Sequence, residues 1–113
     1  MRAAASAVEP VSAHPVVVQA EFTGPIWYWR GPAPFHFVTL PDEQSAAVRA
    51  IAPAVTYGWG MIPVVARIGR TTFETAMFRQ DELYVVPLKQ AVRRAEKLDV
   101  DDTVTVHLTI SAR

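Results

Sequence analysis

The stretch from residue 83 to residue 110 places the strongest constraint on what this chain can fold into. Residues 83–86 are apolar and partly β-branched, so they predict a strand, which Pro87 is expected to close. An amphipathic helix is predicted over 88–97. After an acidic turn, residues 103–110 alternate strictly and predict a strand with one buried face. Its inward residues are expected to be Val104, Val106, Leu108 and Ile110.

An earlier part of the chain repeats this order of elements. Residues 37–41 read Phe-Val-Thr-Leu-Pro, a helix is predicted from Asp42 to about residue 51, and a strand covers 61–68. We expect Asp42 to accept hydrogen bonds from the free amides of the first helical turn, and the helix to stop before Pro53. Two such halves around one core predict a pseudo-two-fold barrel with a helix at each end.

The remaining segments supply the other strands. Residues 16–22 predict a strand that Gly24 and Pro25 end, and residues 35–40 predict a second strand. A tight turn at residues 69–70 is expected to lead into an antiparallel strand over 71–78. The predicted fold class is therefore mainly β: a small barrel of about six strands with two short helices capping its ends.

Composition limits the classes of function. The chain has 113 residues, which suffices for one core, and its formal net charge is +0. A neutral balance argues against a strong binder of nucleic acid or anionic membrane. There is no cysteine, and the three histidines lie in no ligand-spaced motif, so we expect no metal and no cofactor.

The composition of the N-terminal segment and the length of the apolar runs indicate the extent of the folded domain and the compartment. Residues 1–14 are rich in small residues and are expected to form a disordered tail, which leaves 15–113 as a single barrel domain. Glu9 and Pro10 interrupt the tail too early for a signal peptide. No apolar run is long enough to cross a bilayer, so a cytoplasmic protein is expected.

The stretch over 83–110 resembles the swapped-hairpin unit of AbrB, MazE and MraZ-type proteins. In those proteins a strand ends in proline, a basic helix follows, and a Gly-Asp turn leads to a valine-rich strand. The matching residues here are Pro87, Lys89, Arg93, Leu98, Asp102, Val104 and Val106. Asp101 stands where that family usually has glycine, so we expect a less tight turn.

From about residue 16 onward the chain resembles more closely the domain of unknown function 1905 family. The resemblance rests on Phe-Val-Thr-Leu-Pro at 37–41, Gly-Trp-Gly-Met-Ile-Pro-Val at 58–64 and Pro-Leu-Lys-Gln-Ala-Val-Arg at 87–93. It implies a double-split β-barrel, related in fold to the AbrB group but closed within one chain. It implies no activity, because fold alone does not specify function.

Two groups of side chains are candidate binding residues. A basic stripe with a period of about four residues consists of Lys89, Arg93 and Lys97, with Arg94 beside it. It is either an anion site or a solvated helix face. An aromatic group lies in two loops rich in glycine and proline, and it is either the lining of a pocket or core at the end of the barrel. Its members are Trp27, Tyr28, Trp29, Tyr57 and Trp59. Arg30 or Arg67 near such a pocket would favour a ligand.

No catalytic motif is visible, so an enzyme is not expected. The leading hypothesis is a non-enzymatic binding module for an anionic small ligand or a protein partner. Its candidate residues are Lys89, Arg93, Trp27, Trp29, Trp59 and Arg67. The alternative is an AbrB-like DNA-contacting or antitoxin-type module that uses Lys89, Arg93, Arg94 and Lys97. The acidic start of the first helix disfavours the nucleic-acid alternative, and we expect a monomer or a weak dimer.

Overall fold

Six antiparallel strands form a closed barrel, and a short helix lies at each of its ends. The computed structural model describes residues 16–32, 35–56 and 60–111, so the predicted tail over 1–14 lies outside the described residues. The elements are β1 Val16–Trp29, β2 Phe35–Thr39, α1 Asp42–Val55, β3 Ile62–Ile68, β4 Thr71–Gln80, β5 Leu83–Leu88, α2 Gln90–Glu96 and β6 Thr103–Ser111. The predicted fold class is confirmed.

The order of strands around the barrel confirms the predicted internal symmetry. The ring runs β1-β2-β5-β4-β3-β6 and closes through the pairing of β1 with β6. Exchanging β1 with β4, β2 with β5 and β3 with β6 leaves every neighbour in this ring unchanged. Val38 faces Val86 where β2 meets β5, and Ala66 faces Leu108 where β3 meets β6. These two pairs mark where the pseudo-two-fold axis crosses the barrel.

The barrel interior is filled by alternate residues of each strand, as the sequence pattern predicts. In β6 every second side chain is buried, beginning at Val104, and β3 behaves in the same way from Ile62 onward. The helices close the two ends: α1 bridges β2 and β3, and α2 bridges β5 and β6. Val48 and Val55 of α1 are fully buried, and Val92 of α2 is almost so.

The prediction that β1 ends at Gly24 and Pro25 is wrong, because the strand continues to Trp29. Pro25 is the last β1 residue opposite β6, where it faces Thr103, and from Ile26 onward the strand pairs with β2. The proline therefore sits where β1 changes partners. A missing N–H is tolerated at such a place. The amide of Ile26 donates to the Asp102 carbonyl at 2.9 Å and restores the connection to the turn before β6.

Helix α1 differs from its prediction at both ends. Pro41 is the N-cap residue, and the side chain of Asp42 makes no capping hydrogen bond. Asp42 instead lies inside the first turn, where its charge still complements the helix dipole. The helix also runs through Pro53 to Val55, four residues beyond the predicted end. Full burial of Val55 holds this last turn against the core.

The boundary between β5 and α2 is also later than predicted. Strand β5 passes through Pro87, which faces Phe37 of β2, and ends at Leu88. Helix α2 therefore begins at Gln90, with Lys89 as its N-cap residue. At the other end Lys97 has a φ of 57° and leaves the helix in the left-handed conformation. The predicted stripe of lysine and arginine is thus not one helical face.

The turn after α2 is tight despite its lack of glycine, contrary to our expectation. Asp101 has a φ of 74°, a left-handed conformation that aspartate tolerates better than most residues. The amide of Asp102 donates to the Asp99 carbonyl at 3.1 Å, and the amide of Asp99 donates to a carboxylate oxygen of Asp102 at 2.8 Å.

The predicted hairpin turn at residues 69–70 is confirmed, with Gly69 at a φ of 59°.

A candidate anion-binding cleft at one end of the barrel

A cleft of about 320 Å³ opens at the end of the barrel that α2 covers. Its walls come from the end of β1, the start of β2, the end of β5 and the first turns of α2. The lining residues are Tyr28, Phe35, His36, Leu88, Gln90 and Arg93. Tyr28 faces His36, and His36 faces Leu88, so three neighbouring strands each contribute one side chain at the same level.

His36 is the titratable group at the centre of this cleft. Its ring lies 4.7 Å from that of Tyr28, centroid to centroid, at an interplanar angle of 53°. Burial lowers the pKa of His36, the positive charge of Arg93 on α2 lowers it further, and the carboxylate of Asp99 partly opposes both. The imidazole is therefore held in its neutral form more strongly than a free histidine would be.

Arg93 brings a positive charge that has no ion-pair partner among the described residues. Its Nε is buried, and among residues 16–32, 35–56 and 60–111 it is the one buried side-chain nitrogen or oxygen atom without a hydrogen-bond partner. No carboxylate of these residues lies within 4.0 Å of its guanidinium. Buried polar atoms are nearly always paired, so an orphaned donor on a charged group points to a missing acceptor.

A second arginine stands at the edge of the cleft. The guanidinium carbon of Arg30 lies 5.5 Å from the centroid of the Tyr28 ring, within the range of a cation–π contact. The sequence suggested that Arg30 near an aromatic pocket would favour a ligand, and the structure places it beside one wall of the cleft. The site thus combines aromatic walls with positive charge.

The pseudo-two-fold mate of Arg93 shows what a closed barrel end looks like. Ser45 is the fourth residue of α1, as Arg93 is of α2, and it is completely buried. Its hydroxyl donates to the Leu40 carbonyl at 3.0 Å and accepts from the Tyr84 amide at 3.1 Å. The serine therefore joins the helix to Leu40, the residue that follows β2, and to Tyr84 of β5. The equivalent position at the other end carries a long cation with an unpaired buried nitrogen.

Of the residues predicted for the leading hypothesis, the structure places Arg93 in the cleft lining. Lys89 is exposed at the N-cap of α2 and does not line it. Trp27 lies on the outer face of β1, where its indole nitrogen donates to the Thr39 hydroxyl at 2.8 Å. Its ring lies 5.1 Å from that of Phe37, centroid to centroid, and is tilted by 38°. Trp27 therefore belongs to an aromatic cluster outside the barrel.

The other predicted residues lie elsewhere. Trp29 is 43% exposed, and its indole packs against Gly31 so closely that a side chain at Gly31 would overlap it. Arg67 lies on β3, three positions from β2 around the ring, and donates to the Gly69 carbonyl at 2.7 Å. Arg94 and Lys97 are exposed and do not line the cleft. Trp59 falls outside the described residues.

Four lining residues were not predicted: Phe35, His36, Leu88 and Gln90. His36 was not a candidate because it belongs to no ligand-spaced motif in the sequence. The alternation of inward and outward side chains along a strand could have identified His36. If β1 is continued through Pro25, then Tyr28 falls on the inward face, and the antiparallel partner at the start of β2 falls there too.

Neither a metal centre nor a membrane helix is found in the described part of the chain. No cluster of three or more histidine or acidic side chains there could hold a metal ion. The helices described are also too short and too polar to cross a membrane.

Comparison with known proteins places the chain in one family. No curated protein matches it. The family model described as "Domain of unknown function (DUF1905)" matches residues 22–108, which include all six lining residues of the cleft. The finding agrees with the closer of the two resemblances in the sequence, while the likeness to AbrB-type proteins stays a prediction. Since the match covers well over half of its length, the chain belongs to the DUF1905 family.

Proposed function

We propose that this protein is a non-enzymatic binding module that takes a small anion in the cleft beside Arg93. The observation that carries the proposal is the position of Arg93: it lines a cleft with aromatic side chains, and no carboxylate of residues 16–32, 35–56 and 60–111 lies within 4.0 Å of its guanidinium. An anion in the cleft would balance that positive charge. A guanidinium offers several N–H donors in one plane, a geometry that suits carboxylate and phosphate oxygens.

The surroundings of Arg93 support binding of a small molecule. The cleft volume of about 320 Å³ lies at the lower end of the range found for ligand pockets. Tyr28 and Leu88 add apolar surface to the lining, which suits the carbon frame of a small organic anion. Comparison with Ser45 also supports the proposal, because the same helical position closes the other end of the barrel without an arginine.

The proposal is tested by titrating the full chain with acetate, benzoate and inorganic phosphate at low ionic strength, with calorimetry or amide chemical shifts as the readout. We expect at least one anion to bind, and Arg93→Gln to weaken its binding about tenfold or more, as removal of a charge-assisted hydrogen bond should. Arg94→Gln is the matched control, because Arg94 is the next residue of α2 and is exposed. Equal losses in the two variants would refute a specific site at Arg93.

The alternative is contact with a nucleic-acid backbone. It is favoured by the exposed cations Lys89, Arg94 and Lys97, which all lie within one short segment around α2. A mobility-shift assay over a series of salt concentrations separates the two functions. Nucleic-acid binding predicts an affinity that falls steeply with salt and that drops in Arg94→Gln as well as in Arg93→Gln. If no shift is seen at low ionic strength, the alternative is excluded.

A further inference from the structure

We infer, on the basis of the proposed function, that the ligand of this cleft is a flat aromatic monocarboxylate. The inference adds two statements to the proposal: the ligand has one negative charge, and it has a planar ring. The first follows from the charges around the cleft and the second from its walls.

The charges of the described residues favour a single negative charge. Arg93 is the one cationic side chain in the cleft lining, and the Arg30 guanidinium is held over the Tyr28 ring. The pKa of His36 is lowered, so the imidazole adds no positive charge at neutral pH. The carboxylate of Asp99 is close enough to influence His36, and it would repel a dianion. A phosphate monoester would therefore carry more negative charge than the cleft can neutralise.

The walls favour a planar ring. Tyr28 and Phe35 are 36% and 38% exposed, so both rings keep open surface where they line the cleft. Large aromatic side chains are normally buried in a small domain. Two partly exposed aromatic side chains in the same cleft as an arginine are therefore suited to bind a ring whose acid group reaches that arginine. Leu88 is almost fully buried and adds an apolar surface to the lining, on the other side of His36 from Tyr28.

The donors of the cleft fit a carboxylate. A planar guanidinium and a planar carboxylate can form two parallel hydrogen bonds, and Arg93 brings such a guanidinium to the cleft lining. The side-chain amide of Gln90, which also lines the cleft, provides a further donor. A ring beside the exposed parts of Tyr28 and Phe35, with its carboxylate towards α2, would contact the aromatic and the charged sides of the cleft together.

The test compares four probes on the full chain at one pH and one low ionic strength: benzoate, cyclohexanecarboxylate, acetate and phenyl phosphate. We expect benzoate to bind most tightly, about tenfold more tightly than acetate and several-fold more tightly than cyclohexanecarboxylate, because ring stacking adds to apolar burial. In Tyr28→Leu the preference of benzoate over acetate should fall about fivefold. Trp29→Leu is the control, since Trp29 is the next residue and is exposed to a similar degree but does not line the cleft.

The outcomes separate this inference from the proposed function. If acetate binds as tightly as benzoate and both depend on Arg93, the anion site stands and the aromatic ligand is refuted. If phenyl phosphate binds more tightly than benzoate, the single negative charge is refuted. If no probe shows binding that depends on Arg93, both the inference and the proposed function are refuted.

Discussion

Replacing Arg93 by methionine should raise the stability of the fold while it removes anion binding. A buried polar atom without a partner costs about 1–3 kcal/mol. Within the Arg93 guanidinium, Nε is the atom found both buried and unpaired. We therefore use the lower end of this energy range. Methionine keeps the length of the side chain, and its helix propensity is close to that of arginine. We therefore expect a gain of about 1 kcal/mol in the free energy of unfolding.

Thermal and urea unfolding measure this gain directly. For a domain of this size, about 1 kcal/mol corresponds to a rise in melting temperature of roughly 4 °C. Arg94→Met is the matched control, because it makes the same change at an exposed position of the same helix. Its effect should stay within about 0.5 kcal/mol. The difference between the two variants isolates the contribution of the orphaned nitrogen from that of helix propensity and net charge.

A loss of stability in Arg93→Met, relative to Arg94→Met, would contradict this reasoning. It would mean that the guanidinium is already paired in the free protein and serves the fold. Adding a bound anion provides a second check. Ligand should raise the melting temperature of the unmodified protein by mass action and leave that of Arg93→Met unchanged.

Three further predictions concern the residues around the two barrel ends. Ser45→Ala should lower the free energy of unfolding by about 2 kcal/mol, because it leaves a buried amide and a buried carbonyl without the hydroxyl that joins them; Ala46→Ser, at an exposed position of the same helix, should change it by less than about 0.5 kcal/mol in urea unfolding. Because the pKa of His36 is lowered in the folded state, the unfolded chain binds its proton first, so stability should decrease as pH falls below about 6.5. Anion affinity should increase at lower pH still, where His36 of the folded protein gains its proton; His36→Gln should flatten both profiles, and His107→Gln should leave the affinity profile intact. Glu96→Ala should destabilise the protein by about 1–2 kcal/mol, since the carboxylate accepts from the Arg70 amide and the Thr71 hydroxyl and so fastens α2 to the β3–β4 turn; an unchanged urea midpoint would show that these bonds add nothing.

Much of the fold was predictable because its strands carry a strong local pattern. The alternation in β6 and β3 identified their buried residues correctly, and the repeated order of elements led to the pseudo-two-fold barrel. The largest errors in the ends of the elements fall at prolines. Rules based on neighbouring residues end an element at Pro25, Pro53 and Pro87, whereas in the structure each element continues past its proline. Tertiary pairing and burial outweigh the local preference at all three positions.

The cleft was predictable only in part because its residues meet through ring closure. Arg93 was identified from charge alone. Its proximity to His36 depends on the pairing of β2 with β5, whose residues are about fifty positions apart in sequence, and no local pattern reports that pairing. Because β1 was predicted to end at Gly24 and Pro25, Trp27 and Trp29 could not be assigned to the inner or the outer face of a strand. Once the strand is continued, the tryptophans lie outside and Tyr28 lies at the mouth of the barrel.

Because the ring of strands is closed, the chain could be given new ends without changing which strands are neighbours. Val16 lies opposite Ser111, so a short linker could join these two positions while the chain is opened in the turn at residues 69–70. The resulting order is β4, β5, α2, β6, β1, β2, α1, β3, and under the pseudo-two-fold it traces the same ring with the same strand neighbours. The two halves are thus interchangeable in their path through the barrel. They are not interchangeable in chemistry, since one helix closes its end with a serine and the other presents an arginine to an open cleft.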